Sequence, residues 1–172
     1  MGVPGSGKDT QAQLLESHKG FRVIRIGHLI RELAKHDKNL DRTQKHGDLA
    51  DEGLVNKLMS KALDDQPDNA NILSDGYPRS LSQAKALEEM CHDKKINFVK
   101  VLYLHIPHTE TINRLKLRAR ADDTDETIKN RLEIFSSTTM PVIEYFKSKN
   151  VLNEIDGQGS VEDVQQRIIS VL

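Results

Sequence analysis

The chain has 172 residues, 37% hydrophobic and 30% charged, with 25 basic against 26 acidic side chains and a net charge of −1. That is the size of one domain with a real core, and without a basic excess a protein that neutralises a nucleic-acid backbone is disfavoured. The single cysteine, Cys91, excludes an intrachain disulfide and a four-thiolate zinc site, and no apolar run approaches a membrane span, so a cytoplasmic protein without nucleic-acid or membrane partners is expected.

Helical and strand patterns alternate along the chain, which predicts an α/β fold with a parallel sheet and crossover helices on both faces. A helix is predicted over Lys8–His18 and a strand over Phe21–Ile26. Helices over Leu29–Lys35, Thr43–Glu52 and Val55–Asp64 follow, then a strand at Asn71–Ser74 and a helix over Ser80–His92. Phe98–His105 reads as a strand, and Thr109–Leu117 and Asp125–Lys147 read as helices, the second interrupted by Pro141. Val151–Ile155 is the last predicted strand, and Ser160–Leu172 closes the chain as a helix with Ser160 as its N-cap and Asp163 completing a capping box. The spacing of Ile128, Leu132, Phe135 and Thr139 predicts a core-facing stripe. Cys91 reads as a packing residue. No repeat or low-complexity linker divides residues 1–172, so a single domain is expected.

Gly2-Val3-Pro4-Gly5-Ser6-Gly7-Lys8-Asp9-Thr10 fits the phosphate-loop pattern G-x-x-x-x-G-K-S/T with one extra residue before the final hydroxyl. Glycines let backbone N–H groups turn inward around an anion, and the helix beginning near Lys8 aims its positive end at the same point. Lys8 adds a charge for the outer phosphates, and Thr10 is placed to help position Mg²⁺. Asp9 puts a negative charge beside that site, and it is expected to point outward and serve the helix dipole. Such a loop ordinarily follows a buried strand, yet here it starts at Gly2. The first strand is therefore expected to be truncated at Met1, or the true start to lie upstream.

A second signature, Asp75-Gly76-Tyr77-Pro78-Arg79, ends an apolar strand. A carboxylate there, beside a phosphate loop, suits Mg²⁺ held through waters, and Arg79 offers a planar fork for phosphate. With GVPGSGKDTQ, GHLIR, DGYPRSLSQ, RARADD, IKNRL and IDGQGSVEDV in this order, the chain resembles the adenylate kinase family of nucleoside monophosphate kinases. The resemblance runs from residue 2 to about 165.

It implies a three-layer P-loop NTPase fold with a five-stranded parallel sheet, a nucleoside-monophosphate-binding segment at residues 27–56 and a short LID at residues 114–124. It further implies reversible Mg²⁺-dependent transfer of the terminal phosphoryl group of ATP to a nucleoside monophosphate, AMP first, giving two ADP, by a monomer. ATP would lie on Gly5, Ser6, Gly7, Lys8, Asp9 and Thr10, with Arg114, Arg118 and Gly159 at the donor side. Arg31 and Arg79 match the arginines that hold the monophosphate, and Gln83 the glutamine that reads an adenine base. Ile26, Leu54, Val55, Gly76, Tyr77 and Pro78 complete that acceptor site. Arg120 and Arg131 match arginines that bridge the two phosphate chains, and Asp122 and Asp123 match LID hinge acids. Lys8, Asp75, Arg79, Arg118, Arg120 and Arg131 would carry the catalysis. The chemistry suits arginines, because phosphoryl transfer needs positioning and charge stabilisation rather than a general base. Arg114 and Arg118, four residues apart on a predicted helix, share a face.

Three departures stand out. Ile26 replaces the usual Thr or Ser before the glycine, which leaves a UMP/CMP-type or other monophosphate kinase as an alternative. His28 replaces a frequent Asp, and the LID is too short for a zinc-binding hairpin. Together with Asp9, these features also leave open a catalytically weak nucleotide-binding regulatory module. A P-loop GTPase is unsupported, since no N-K-x-D base-reading element is present.

Overall fold

Short helices alternate with short parallel strands in the computed structural model, which describes residues 1–98, 100–118 and 124–172. Helix α1 (Lys8–Lys19) has Gly7 as its N-cap and Gly20 as its C-cap, with φ of 91° and 69°. It leads into strand β1 (Arg22–Arg25) and then α2 (Ile26–Ala34). The α2 helix starts earlier than the predicted Leu29–Lys35 and takes Ile26 out of the strand.

The helix expected over Thr43–Glu52 is not there. Its place is taken by the end of α3 (Lys38–His46) and the start of α4 (Glu52–Asp64). Asp37 caps α3 by accepting from the Asn39 and Leu40 N–H groups, and Gly47, at φ 80°, stops it. Asp51 starts α4 afresh by accepting from the Leu54 N–H at 2.9 Å. Two acidic N-caps and a left-handed glycine thus override the apolar spacing across residues 43–52.

Strand β1 pairs in parallel with β2 (Ile72–Asp75), Arg22 opposite Ile72 and Arg25 opposite Asp75. Helix α5 (Leu81–Asp93) follows, then β3 (Val101–His105), which pairs in parallel with β4 (Leu152–Asp156). The five-stranded sheet implied by the resemblance is not seen: among the described residues the strands form two separate pairs. Beside β3, the Met1 amino group donates to the Leu102 carbonyl, the Leu104 N–H donates to the Met1 carbonyl at 2.9 Å, and Gly2 forms a parallel bridge with Leu104.

Apolar packing joins the two pairs instead. Leu73 of β2, Leu102 and Leu104 of β3 and Ile155 of β4 share a cluster with Leu15 of α1 and with Val164 and Ile168 of α9 (Val161–Ile169). A larger cluster brings Ile24 of β1 together with Val55, Met59 and Leu63 of α4 and Leu87 and Cys91 of α5. Cys91 is buried there as a packing residue. Both clusters follow from strands that must be covered by helices on each face.

Helix α6 (His108–Arg118) and helix α7 (Asp125–Ile134) flank the residues that are not described. The break expected at Pro141 begins earlier, as a π-helical turn over Phe135–Thr139. Pro141 sits in the first turn of α8 (Met140–Ser148), directly after that π-helical turn, where it can make no backbone N–H bond to the preceding helix. The capping box on α9 forms in full: Asp163 N–H donates to Ser160 Oγ, and Ser160 N–H donates to Asp163 Oδ2, each at 3.1 Å. No helix of the described residues is long and apolar enough to cross a membrane.

One contact ties residues 27–56 to α7. Thr127 Oγ1 donates to the Lys45 carbonyl at 3.1 Å, and Asn130 Nδ2 donates to the His46 carbonyl at 2.7 Å and to Asp48 Oδ1 at 2.8 Å. Gly47 lies in the middle of this clasp, where an added Cβ would sit 3.0 Å from Thr127 Cγ2 and 3.2 Å from the Thr127 carbonyl oxygen. Gly47→Ala is therefore expected to cost on the order of 1–3 kcal/mol, from left-handed strain and crowding together. Denaturant unfolding measures it; parental stability would show that the clasp tolerates a side chain.

Candidate active site

The phosphate loop closes on itself before α1 begins. Ser6 N–H donates to the Val3 carbonyl at 3.0 Å, and Gly5 and Gly7 take φ of 85° and 91°. At Gly7 an added Cβ would meet nothing, so glycine is needed there for conformation alone. At Gly5 it would also press on Leu115 Cγ at 3.1 Å. The N–H groups at the start of α1 open toward the space in front of the loop, where an anion is favoured. Lys8 Nζ reaches back to the Val3 carbonyl at 3.3 Å.

The second signature is held from several sides. Asp75 ends β2, and the chain turns at Gly76, with φ 83°, into a cis Tyr77–Pro78 peptide. Ser74 Oγ donates to the Tyr77 carbonyl at 2.9 Å, and the Tyr77 hydroxyl donates toward Asn56 Oδ1 at 2.8 Å. Arg79 is fixed through its N–H to Gln83 Oε1 at 2.8 Å and through Nε to the Gly76 carbonyl at 2.9 Å. Gln83 is 3% exposed, and because its oxygen faces an N–H donor, its Nε2 is the atom left to meet a ligand. Ser80 caps α5, while Ser80 and Ser82 both donate to the Glu52 carboxylate and so hold its pKa below the ordinary value.

The two signatures line one cavity of about 1110 Å³. Gly5, Ser6, Gly7, Lys8, Asp9 and Thr10 form one wall of it, and Gly159 lies on its rim. Asp75, Gly76, Tyr77, Pro78, Arg79 and Gln83 also face it. Ile26, Arg31 and Val55 come from α2 and α4, Arg114 from α6 and Arg131 from α7. Leu54 is not part of the lining; it is half-buried against the core. The Arg118 side chain and Arg120, Asp122 and Asp123 lie outside the described residues. Arg114 Nε donates to Glu110 Oε1 at 2.7 Å, one helical turn back.

Asp9 differs from the outward-pointing residue expected. It borders the cavity from the exposed first turn of α1, and its charge acts on Asp75. The reason is local charge: Lys8, Arg25 and Arg79 all lie within electrostatic reach of this pair. Burial raises the Asp75 pKa, Lys8 opposes the rise, and the Asp9 charge adds to it. Arg79 opens on the cavity but is crowded by protein on its other sides, and this burial lowers its pKa, with Arg131 and Arg31 adding to the effect against Asp75 and Asp9. Several cations held against mutual repulsion make a site for a polyanion.

Sequence reasoning missed Arg25, Phe135 and Thr139, which line the same cavity. Arg25 ends β1 and pairs with Glu16 at 2.6 Å. Thr139 and Phe135 were expected on a core stripe. Of that stripe Ile128 and Thr139 are buried and Leu132 and Phe135 half-buried, because the π-helical turn rotates its end toward the cavity. Apolar spacing carries no signal for such a turn.

The raised Asp75 pKa makes a stability prediction. A carboxyl whose pKa is raised in the native state destabilises the fold once the pH exceeds that pKa, and does not once both states are protonated. In nucleotide-free protein, Asp75→Asn is expected to raise the melting temperature at neutral pH, with the gain shrinking as the pH falls toward about 4. A gain that grew on acidification would contradict the burial cost.

A sequence model of the adenylate kinase family matches residues 1–151. An adenylate kinase from Mycolicibacterium vanbaalenii is 36% identical over 176 residues, which cover 100% of this chain and 96% of that protein. One from Mycolicibacterium paratuberculosis is 38% identical over 177 residues, with 100% and 96% covered. One from Porphyromonas gingivalis is 35% identical over 181 residues, with 99% and 92% covered. By motif order, site and full-length similarity, this chain belongs to the adenylate kinase family.

Proposed function

We infer that this protein is a phosphotransferase that moves the terminal phosphoryl group of ATP to AMP, reversibly, giving two ADP. The observation that carries this reading is the one cavity into which the phosphate loop and arginines from β1, α2, the turn after β2, α6 and α7 all open.

The donor triphosphate lies along Gly5–Thr10, with its outer phosphates against Lys8 and the positive end of α1. Arg114 and Arg118 stand on the donor side, and Gly159 borders the donor base. The acceptor lies between α2, α4 and the turn after β2. Arg31 and Arg79 grip its phosphate, Gln83 Nε2 donates to its base, and Ile26 and Val55 supply apolar contact. Arg131 stands between the two phosphate chains. Residues 27–56 close over the acceptor, and one chain suffices for both substrates.

The residues present fit Mg²⁺ arriving with ATP. Thr10, Asp75 and Asp9 offer hard oxygen donors beside the loop, while no group of three or more His, Cys, Asp or Glu among the described residues could hold a metal by itself. Mg²⁺ is commonly held by one or two carboxylates together with waters and substrate phosphates, and Asp75 and Asp9 would supply the carboxylates. Bound in that way, it supplies charge neutralisation on the phosphates.

In the transfer an oxygen of the AMP phosphate attacks the γ-phosphorus of ATP. A new P–O bond forms as the bond from the γ-phosphorus to the β-bridging oxygen breaks, and ADP leaves. Lys8, Arg79 and Arg131 hold the charge that spreads over the equatorial oxygens, and a general base is unnecessary. Water must be kept out, which is the work of the closing segment.

A panel of AMP, GMP, UMP and CMP with ATP and Mg²⁺ tests the reading. AMP is expected to turn over fastest, with two ADP formed for each AMP consumed, and a protein that no monophosphate stimulates would overturn it. Arg79→Ala is expected to lower AMP-dependent kcat/KM on the order of a hundredfold or more, with ATP affinity little changed. Unchanged AMP turnover in that variant would remove Arg79 from the acceptor site.

A further inference from the structure

Arg79 is held by a side chain far away in the sequence. Thr139 Oγ1 donates to the Arg79 carbonyl at 3.1 Å, across 60 residues of sequence. Thr139 is 7% exposed and closes the π-helical turn between α7 and α8. We propose that Thr139 is a positioning residue for the acceptor phosphate: its hydroxyl pins the Arg79 main chain and couples it to the helix that carries Arg131. The proposal rests on the reading of Arg79 given above and deepens it.

Three anchors converge on Arg79. Its N–H is taken by Gln83, its Nε by the Gly76 carbonyl and its own carbonyl by Thr139. With Nε engaged, the paired terminal nitrogens are the fork left for a phosphate. The Gly76 anchor belongs to the turn itself, the Gln83 anchor comes from α5, and Tyr77 ties the turn to Asn56 of α4. Thr139 is the anchor that ties it to the segment between α7 and α8.

The π-helical turn explains why a threonine at this position can reach. In an unbroken α-helix Thr139 would lie about 80° around the axis from Arg131. A turn that takes up one extra residue brings it back to within about 20°. Arg131 and Thr139 therefore face the same cavity, one toward phosphate and the other toward the backbone beneath the second arginine. Arg131 and Arg79 repel, so their spacing depends on a tie between the segments that carry them. A neutral hydroxyl-to-carbonyl bond provides it.

Thr139→Val keeps the shape and removes the donor, while Thr139→Ser keeps the donor and removes the methyl group. Thr139→Val is expected to lower kcat/KM for AMP about three- to tenfold and to leave KM for ATP unchanged, with Thr139→Ser close to the parent. In an Arg79→Ala background the Thr139→Val penalty is expected to vanish. Equal losses for both nucleotides, failure of Thr139→Ser to restore activity, or a penalty that persists without Arg79 would each overturn the proposal. If Thr139→Val does not fold, Thr139→Ala carries the same expectations. Arg79→Ala alone separates the two levels. If it spares AMP turnover, the acceptor-site reading fails; if it does not and Thr139→Val is silent, only the role of Thr139 fails.

Discussion

Positive charges that repel one another have to be held in place by something other than each other. Lys8, Arg31, Arg79, Arg114 and Arg131 come from distant parts of the chain and open on one cavity. Left to themselves, such side chains would spread into solvent. The fold holds Arg79 by the Gln83 amide, the Gly76 carbonyl and Thr139, Arg114 by the Glu110 carboxylate, and the phosphate loop by the turn from Ser6 to Val3. The resulting excess of positive potential is the feature from which the chemistry follows, because a polyphosphate with two nucleotide ends answers it and most other ligands do not.

Two carboxyls temper that potential. Asp9 and Asp75 both border the cavity beside the loop, within electrostatic reach of each other and with Lys8 acting on Asp75. The arrangement holds negative charge where hard-oxygen ligands are wanted and keeps the cations near it from facing only one another. The clasp between the Gly47 turn and α7 acts at the opposite wall. It sets residues 27–56 against the helix that carries Arg131, so the acceptor side and the bridging arginine are positioned by shared backbone contacts.

Much of this was legible in the sequence for specific reasons. Glycines and a lysine at fixed spacing announce the phosphate loop, and Ser160 with Asp163 announces the last helix, because both depend on local chemistry. The elements at residues 37–52 were not legible. The aspartates that cap α3 and α4 compete there with an apolar pattern, and the left-handed Gly47 decides between them. The orientation of Asp9 depends on charges from β1 and from the turn after β2, which spacing does not carry. The role of Thr139 depends on a π-helical turn that returns a predicted core residue to the cavity. The pairing of the strands into two separate pairs was not legible either, because strand partners are set by tertiary packing rather than by the apolar pattern of each strand.

The central claim is that one hollow receives two nucleotides end to end. Calorimetric titration with a dinucleotide whose two adenosines are joined through five phosphates measures this directly. The account predicts one molecule bound per chain, with ATP and AMP both excluded while it is there. Two molecules bound per chain, or AMP still binding beside the occupied donor loop, would contradict it.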